Sequence, residues 1–237
     1  MRTAILFLCM LLSGCSGSSA NSRHSADSAG PGPWKALFDG RTLDGWEPSP
    51  FPAAGPVRVK NGVILLEQGE ASTGVRRTGP VPRMNYELEV EARRVRGGDF
   101  FCGLTFPVGP DACSLIVGGW GGSLVGISCI DRYDASENET TRTMTLSTGR
   151  WYFVRVRVTA GRIESWIRRE DEPEEKVVDV ATAGRKISVR GDITESLPMG
   201  VAAWRTTAEI RAVRVRDLPE GPPGGDSPPR HQDTKTR

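Results

Sequence analysis

The chain has 237 residues, and its 31 Lys and Arg residues against 29 Asp and Glu residues give a formal net charge of +2 at pH 7. The charges are spread along the chain and form no basic cluster, so nucleic acid is not a predicted partner. Both histidines, His24 and His231, fall in terminal stretches whose composition predicts disorder. The folded part is therefore predicted to lack a Ser-His-Asp triad, a Cys-His pair and a histidine-ligated zinc ion.

Residues 1–14 have the features of a bacterial lipoprotein signal peptide. Arg2 precedes an apolar run over residues 4–12, and small residues then lead to Cys15. The run is too short to span a membrane, so the predicted membrane contact is through lipid on the Cys15 thiol only. Ser16 follows the cysteine and favours the outer membrane over the inner membrane of the bacterial cell envelope. A plain cleaved signal without lipid is the alternative.

Composition divides the rest of the chain into three parts. Residues 15–33 are small and polar and predict a flexible tether, and residues 219–237, rich in proline, glycine and charge, predict a disordered tail. Between them, residues 34–218 suffice for one core and are too few for two typical domains. Cys102, Cys113 and Cys129 of this domain predict one disulfide and one buried free thiol, with Cys102 and Cys113 facing each other across a turn at 106–111.

Apolar and polar residues alternate with a period of two over most of the domain, and helical periodicity is nearly absent. Leu88, Val90 and Ala92 alternate with charged residues, which predicts a strand at 86–93 with one face on the core. A turn at 159–162 predicts a hairpin between 151–158 and 163–167, and a change of parity in 208–218 predicts a bulge near Ala212. Shorter strands are predicted at 57–59, 63–66, 100–106, 113–117, 124–128, 177–180 and 199–204. The pattern indicates an all-β fold, a two-sheet antiparallel β-sandwich of the jelly-roll type.

Three segments of the domain resemble one known family. They are the opening WKALFDGRTLDGW at 34–46, the GRWY strand at 149–152 with its hairpin partner ending near Trp166, and the closing strand at 199–218. Together they are similar to the 3-keto-disaccharide hydrolase domain family. The resemblance implies a concanavalin-like jelly roll, exported in bacteria, that binds glycans or cleaves 3-keto-glucosides by hydrolysis or by elimination and hydration.

The resemblance carries over to few individual residues. Glu91 and Arg93 match the family's strand pattern Glu-x-Arg, and Gly103 matches the glycine of its Asn-Ser-Gly motif. Phe101 and Cys102 replace the Asn-Ser, and the arginine and the YE-x-Q-x-x-D strand that should follow are missing. The chain is therefore expected to be a divergent member with its own central segment, 97–142.

Glu87, Glu89 and Glu91 lie on one face of a predicted strand. Alternate carboxylates on a strand are roughly 6.5 to 7 Å apart, which suits the acid and base of a glycosidase. Glu91 is the first catalytic candidate because it also matches the family, and Arg93 on the same face is a candidate substrate-binding residue. A solvated strand face, whose glutamates pair with arginines of a neighbouring strand, explains the pattern as well.

Residues 131–140 form an oxygen-rich segment after an apolar strand. A divalent cation such as Ca²⁺ takes several oxygen ligands from a short segment, and Asp131, Asp134 and Glu137 are the candidate metal ligands. Sugars need similar donors and acceptors, so Arg132 and Asn138 are candidate substrate-binding residues. A solvated loop with local turns is the alternative.

Two tryptophans are candidate platforms for a sugar ring. Two glycines flank Trp120 on each side, which lets the backbone approach closely and leaves the indole uncovered, and Trp204 is a second candidate. A core tryptophan at a tight bend is the alternative for Trp120. Tyr133 and Asp99 complete the catalytic candidates, although Asp99 follows two glycines at a strand entrance and a turn role explains it too.

These observations predict a lipid-anchored, carbohydrate-active domain of the cell envelope that cleaves 3-keto-glycosides by hydrolysis or elimination. A carboxylate or tyrosine base would remove the C2 proton, which the neighbouring carbonyl acidifies. The alternative is a non-catalytic glycan-binding or cell-envelope interaction module, which the missing family motifs favour.

Overall fold

The computed structural model describes residues 30–220; Cys15, the predicted signal peptide and most of the predicted tether and tail lie outside the described residues. Within this range the regular structure is almost all β-strand, and no helix is long and apolar enough to cross a membrane. In chain order the elements are β1 Lys35–Ala36, β2 Trp46–Pro48, β3 Val57–Lys60, β4 Val63–Leu66, β5 Ser72–Arg77, β6 Tyr86–Gly97, β7 Cys102–Val108, β8 Asp111–Gly118, α1 Gly119–Gly122, β9 Leu124–Ser128, β10 Arg142–Thr143, β11 Tyr152–Thr159, β12 Arg162–Arg169, β13 Glu175–Ala181, a 3-10 helix Gly191–Ser196, β14 Gly200–Trp204 and β15 Thr206–Asp217.

The strands form two antiparallel sheets that pack face to face. Sheet I has eight strands in the order β13-β12-β11-β6-β15-β4-β3, with β1 also paired to β15. Sheet II has seven strands in the order β10-β9-β8-β7-β14-β5-β2. The predicted all-β, two-sheet jelly-roll sandwich is confirmed.

Alternate side chains of both sheets fill the space between them. Leu88 and Val90 of β6 and Val154 of β11 point inward from sheet I and meet Leu104 and other apolar residues of sheet II. The Tyr86 hydroxyl donates a hydrogen bond of 2.6 Å to the Pro107 carbonyl of sheet II, which satisfies the phenol inside the core. Burial there raises the pKa of Tyr86 well above its ordinary value.

Several local predictions are confirmed, and one strand shows why others were missed. β11 and β12 form the predicted hairpin, and the pairing of β15 with β6 shifts register between Ile210 and Ala212, where the bulge was expected. β5 was not predicted because its sequence, Ser-Thr-Gly-Val-Arg-Arg, has a single large apolar residue and gives no alternation of apolar and polar residues. Loops cover the outer side of sheet II at β5, so both faces of that strand are shielded from solvent.

The expected disulfide between Cys102 and Cys113 is wrong. The β7–β8 register places Cys102 opposite Val117 and Cys113 opposite Phe106, so the two cysteines are not partners across the hairpin. Cys102, Cys113 and Cys129 are all free thiols. Burial raises the pKa of Cys102 to about 12 and also raises that of Cys113, so both stay protonated.

The outer face of sheet I carries a layer of ion pairs and stacked arginines, here called the ion-pair layer. Glu87 lies at its centre and accepts hydrogen bonds from Arg155 at 2.6 Å, Arg157 at 2.8 Å and Arg216 at 2.6 Å. The Arg155 and Arg157 guanidinium carbons lie 4.0 and 5.1 Å from the centre of the Trp166 ring. The arginines of this face are therefore paired with carboxylates and stacked on aromatic rings.

Candidate functional site

Loops, and not solvent, cover most of the outer face of sheet II. A second apolar cluster lies there, separate from the main core, and it joins Phe100, Ile116, Ala135, Ile193 and Ala202. These residues belong to different strands and loops, so the cluster holds several loops against one face of the sheet. This face, here called the loop-covered face, is where functional side chains from distant parts of the chain meet.

Asn138 organises the loop at 131–141. Its side-chain amide donates to the carbonyls of Ile127 at 2.8 Å and Asp134 at 2.7 Å, and its oxygen accepts from the Thr140 backbone at 2.9 Å. A Cβ on Gly126 would lie 2.9 Å from the Ala135 carbonyl, so only glycine lets the loop pack this closely on β9. The polar groups of Asn138 are used inside the loop, which gives this residue a structural role in place of the predicted contact with sugar.

The three candidate metal ligands do not converge. Asp131 pairs with Arg185 at 2.5 Å, and Asp134 pairs with Arg190 at 2.8 Å and accepts a hydrogen bond from the Ser128 hydroxyl. Within residues 30–220 no group of three or more His, Cys, Asp or Glu side chains is placed to hold a metal ion. These carboxylates already bind cationic side chains, so this donor set does not fit Ca²⁺, and the predicted site at Asp131, Asp134 and Glu137 is corrected.

Asp131 is instead an anchor for its loop. Its carboxylate accepts from the Lys186 backbone at 2.7 Å, and Arg185 also reaches Glu139 at 2.6 Å. The Lys186 amide and then the Arg185 guanidinium hold the pKa of Asp131 below its ordinary value. The loop is thereby tied to residues 185–186 through charge, and not through a shared cation.

Trp120 is the exposed aromatic residue of the loop-covered face. It belongs to α1, has a φ of +47°, and keeps 42% of its surface exposed. The flanking Gly118, Gly121 and Gly122 also have positive φ, which L-residues with side chains rarely adopt. Arg190 lies 5.5 Å from the centre of the indole ring and joins Trp120 to Asp134.

A buried arginine holds the loop that carries Trp120. Arg94 is only 6% exposed, and it donates hydrogen bonds to the carbonyls of Gly122 at 2.8 Å and Leu146 at 3.2 Å. Its guanidinium also lies 5.3 Å from the Phe101 ring. A Cβ at Gly118 would lie 2.6 Å from this guanidinium, so the glycine is needed for the contact. Burial lowers the pKa of Arg94 from its ordinary value.

Asp99 lies directly beside the Trp120 loop. One carboxylate oxygen accepts from the Phe100 backbone at 2.7 Å, and the other is 3.5 Å from the Gly121 backbone nitrogen. In the described part of the chain, no lysine or arginine forms a salt bridge with Asp99, whereas Asp134 is held by Arg190. Asp99 therefore has hydrogen-bonding capacity left, whereas Asp134 and Asp192 are both paired with Arg190.

Glu91 and Arg93 lie on the opposite side of the sandwich. Both belong to the ion-pair layer of sheet I, where Glu91 pairs with Arg211 at 2.5 Å and Arg93 donates to Glu209 at 2.6 Å. If Glu91 were the catalytic base for a sugar on Trp120, the two would have to share one surface; they do not, because β6 is a strand of sheet I and Trp120 lies next to β8 and β9 of sheet II. The pattern of alternate glutamates reflects an outer strand face whose acids are paired with arginines.

The remaining candidates lie at the two ends of the loop-covered face. Arg132 and Tyr133 form the exposed turn after β9, and Tyr133 keeps 59% of its surface exposed. Trp204 is half-buried against the second apolar cluster, and its backbone nitrogen donates to Phe100 at 3.0 Å. The 98–100 segment thus contacts both the Trp120 loop, through Asp99, and the backbone of Trp204, through Phe100.

Arg190 was not among the candidate site residues predicted from the sequence. It precedes the 3-10 helix Gly191–Ser196 in a segment without clear periodicity, and it pairs with Asp192 at 3.0 Å as well as Asp134. No sequence signal marks it, because its role depends on contacts with Trp120 and Asp134 from other loops. Only the folded chain shows these contacts.

The match to known proteins agrees with this architecture. The VIP36 exoplasmic/lumenal domain in its Ca²⁺/Man₃GlcNAc-bound form has a TM-score of 0.52 at 14% identity, covering 82% of this chain and 90% of that one. Peanut lectin has a TM-score of 0.51 at 12% identity, covering 78% and 98%. The carbohydrate-binding module CBM66 from Bacillus subtilis has a TM-score of 0.47 at 13% identity, covering 71% and 93%.

The similarities to the VIP36 domain and to peanut lectin show the lectin-like jelly-roll fold. A comparison with curated protein sequences found no match. A family model, described as the 3-keto-alpha-glucoside-1,2-lyase-like domain, matches residues 33–216, which covers almost the whole described part. The chain therefore belongs to the 3-keto-alpha-glucoside-1,2-lyase-like family, as the three sequence segments predicted.

Proposed function

We propose that the loop-covered face binds carbohydrate, with Trp120 as the platform for a sugar ring. The observation that carries the proposal is an exposed indole, held by a glycine loop, with a hydrogen-bonding carboxylate and a guanidinium beside it. An aromatic face with a few placed polar groups is the usual make-up of a site for a small polar ligand. The family match supports a glucoside as the ligand class.

We further propose that Asp99 is the base that acts on a 3-keto-glucoside at this site. The C3 carbonyl acidifies the C2 proton, which Asp99 removes; the electron pair forms the C1–C2 double bond, and the bond from C1 to the glycosidic oxygen breaks. The departing oxygen takes a proton from solvent. Addition of water across the double bond would complete a net hydrolysis.

A non-catalytic glycan-binding module is the second candidate, and one observation favours it. Phe101 and Cys102, which replace the family's Asn-Ser, are fully buried in the core. They offer no polar group to a ligand, so this chain must bind with a different set of residues from its family. Binding would then depend on Trp120, with Asp99 as a hydrogen-bond acceptor only.

Replacing Trp120 with alanine is expected to weaken glycan binding under either candidate. Loss of an aromatic anchor typically costs about 2 kcal/mol, or roughly 30-fold in Kd. Isothermal titration of the variant with the glucosides that the wild type binds would measure the loss. Tyr133→Ala is the matched control, because it removes a still more exposed aromatic ring at the far turn of the same face. Equal affinity of wild type and Trp120→Ala would contradict the platform role.

We also propose that the domain is tethered to the bacterial cell envelope, at the outer membrane, through lipid on Cys15. The apolar run over residues 4–12 and the small residues that lead from it to Cys15 support this. Changing Cys15 to alanine is expected to move the protein from the membrane to the soluble fraction. If the variant stays with the membrane after a wash with high salt, the proposed lipid anchor on Cys15 is contradicted.

A further inference from the structure

A groove opens beyond the ends of β4 and β6, where Glu70 of its wall accepts a hydrogen bond from Arg205, the neighbour of Trp204. It has a volume of about 830 Å³ and is lined by residues 53–56, by residues 68–70 and by Arg96. The groove is shallow and widely open to solvent, so a ligand lying in it would stay partly exposed. The groove belongs to neither the Trp120 loop nor the second apolar cluster, so the platform alone does not account for it.

The walls of the groove are held in place by backbone hydrogen bonds. The Gly55 nitrogen donates to the Thr73 hydroxyl at 2.8 Å, and the Glu70 nitrogen donates to the Ala53 carbonyl at 3.1 Å. A Cβ at Gly69 would lie 2.6 Å from the Gly55 nitrogen, so the two walls touch where both residues are glycine. The groove is thus formed before any ligand arrives, which reduces the entropy lost on binding.

The side chains in the groove are free to bind. Gln68, Glu70 and Arg96 are exposed, and none of the three side chains forms a hydrogen bond or salt bridge within the described residues. An amide, a carboxylate and a guanidinium together carry no net charge and offer both donors and acceptors. This set suits a neutral ligand with many hydroxyl groups better than an ion.

A continuous series of contacts joins this groove to the Trp120 platform. Gly121 of the Trp120 loop approaches Asp99, and Asp99 bonds the backbone of Phe100. The Phe100 carbonyl accepts from the Trp204 nitrogen at 3.0 Å. Arg205 lies 5.7 Å from the centre of the Trp204 ring and donates to the Glu70 carbonyl at 2.9 Å, on the groove wall.

We infer that a glycan bound at Trp120 continues past Trp204 into the groove at Gln68, Glu70 and Arg96, so that the ligand is a neutral oligosaccharide of several sugar units. The inference rests on the proposed carbohydrate function and specifies its ligand. Trp120 and Trp204 supply two aromatic surfaces, and the groove supplies hydrogen-bonding groups for the sugars that lie farther from Asp99. A single sugar would use the Trp120 end only.

Titration calorimetry with glucose, and with cello- and malto-oligosaccharides of increasing length, tests this inference. For one of the two series we expect the affinity to rise roughly tenfold as the chain grows and then to level off. Arg96→Ala, which removes a groove donor, and Ala54→Trp, which fills the groove, should both abolish the gain for long chains and leave the shortest ligand unaffected. Arg41→Ala is the control, because it removes an arginine far from the groove. Its neighbour Gly40 lies near Gly62, in the turn of the β3–β4 hairpin, and the groove lies at the opposite end of that hairpin.

The outcomes separate the groove from the platform. Equal affinity for all lengths in the wild type, lost on Trp120→Ala, would overturn the groove and leave the proposed function standing. A gain with length that survives in both groove variants would also overturn it. Failure of the wild type to bind any of these sugars would overturn the groove, and failure to bind a 3-keto-glucoside as well would overturn the proposed function.

Discussion

Replacing Asp99 with asparagine is expected to abolish turnover of 3-keto-glucosides while leaving glycan affinity nearly unchanged. Asparagine keeps the oxygen that accepts the 2.7 Å hydrogen bond from the Phe100 backbone, so the 98–100 segment should stay in place. It cannot remove a proton, and the loss of a general base typically costs about 10²- to 10⁴-fold in rate. Release of nitrophenol from a nitrophenyl 3-keto-glucoside would measure the rate, and calorimetry would measure the affinity.

Glu91→Gln is the matched control for this experiment. Glu91 was the first catalytic candidate from sequence, and its place in the ion-pair layer of sheet I predicts an unchanged rate. If Asp99→Asn keeps full activity while Glu91→Gln loses it, the assignment of the site to the loop-covered face is wrong. If the wild type binds glycans and turns over no 3-keto-glucoside, the non-catalytic module is the correct function.

The largest expected effect on stability comes from Glu87. This carboxylate has no exposed surface, and three arginines donate to it. Glu87→Ala would leave those arginines facing each other without their common anion, and breaking a buried ion pair from one side typically costs about 3 to 5 kcal/mol. We expect the lower end of that range, because Arg157 and Arg216 are partly exposed and Arg155 keeps its pair with Glu174. Urea unfolding at neutral pH would measure the free energy of unfolding.

Acid should weaken the same interaction. Burial alone would raise the pKa of Glu87, but the hydrogen bonds from Arg216 and Arg157 outweigh it and hold the pKa below its ordinary value. A carboxyl group with a lowered pKa in the folded state stabilises the fold above its unfolded pKa, and that contribution is lost as the pH falls through the folded value. The difference in unfolding free energy between wild type and Glu87→Ala should therefore shrink below about pH 4.

The control for Glu87 is Glu170→Ala. Glu170 is also paired with an arginine, Arg211, but its side chain is 54% exposed. An exposed pair of this kind contributes about 0 to 1 kcal/mol. Equal losses for the two variants would show that burial of Glu87 is not what makes its ion pairs important.

The sheets could be predicted from sequence, and the site could be predicted only in part. Alternation located β6, β11 and β12, because one face of each of these strands is buried. The alternation gives no information about the loops that cover the outer face of sheet II, so β5 and the role of Arg190 were not predicted. Trp120 and Asp99 could be named as candidates because glycine runs mark unusual backbone conformations. Glu91 was a misleading candidate. The alternation along a strand shows which face of its own sheet a side chain lies on, but it does not show which of the two sheets a distant loop covers.

The free thiols of the core have a consequence for how this domain matures. A small exported domain often depends on disulfides, and then needs an oxidant and an isomerase to complete its fold. Here Cys102 and Cys113 are sealed inside the sandwich as protonated thiols, which makes them poor nucleophiles and keeps oxidants away from them. In the described domain the core is thus complete without a bond between these two thiols, so no oxidant or isomerase is needed to join them.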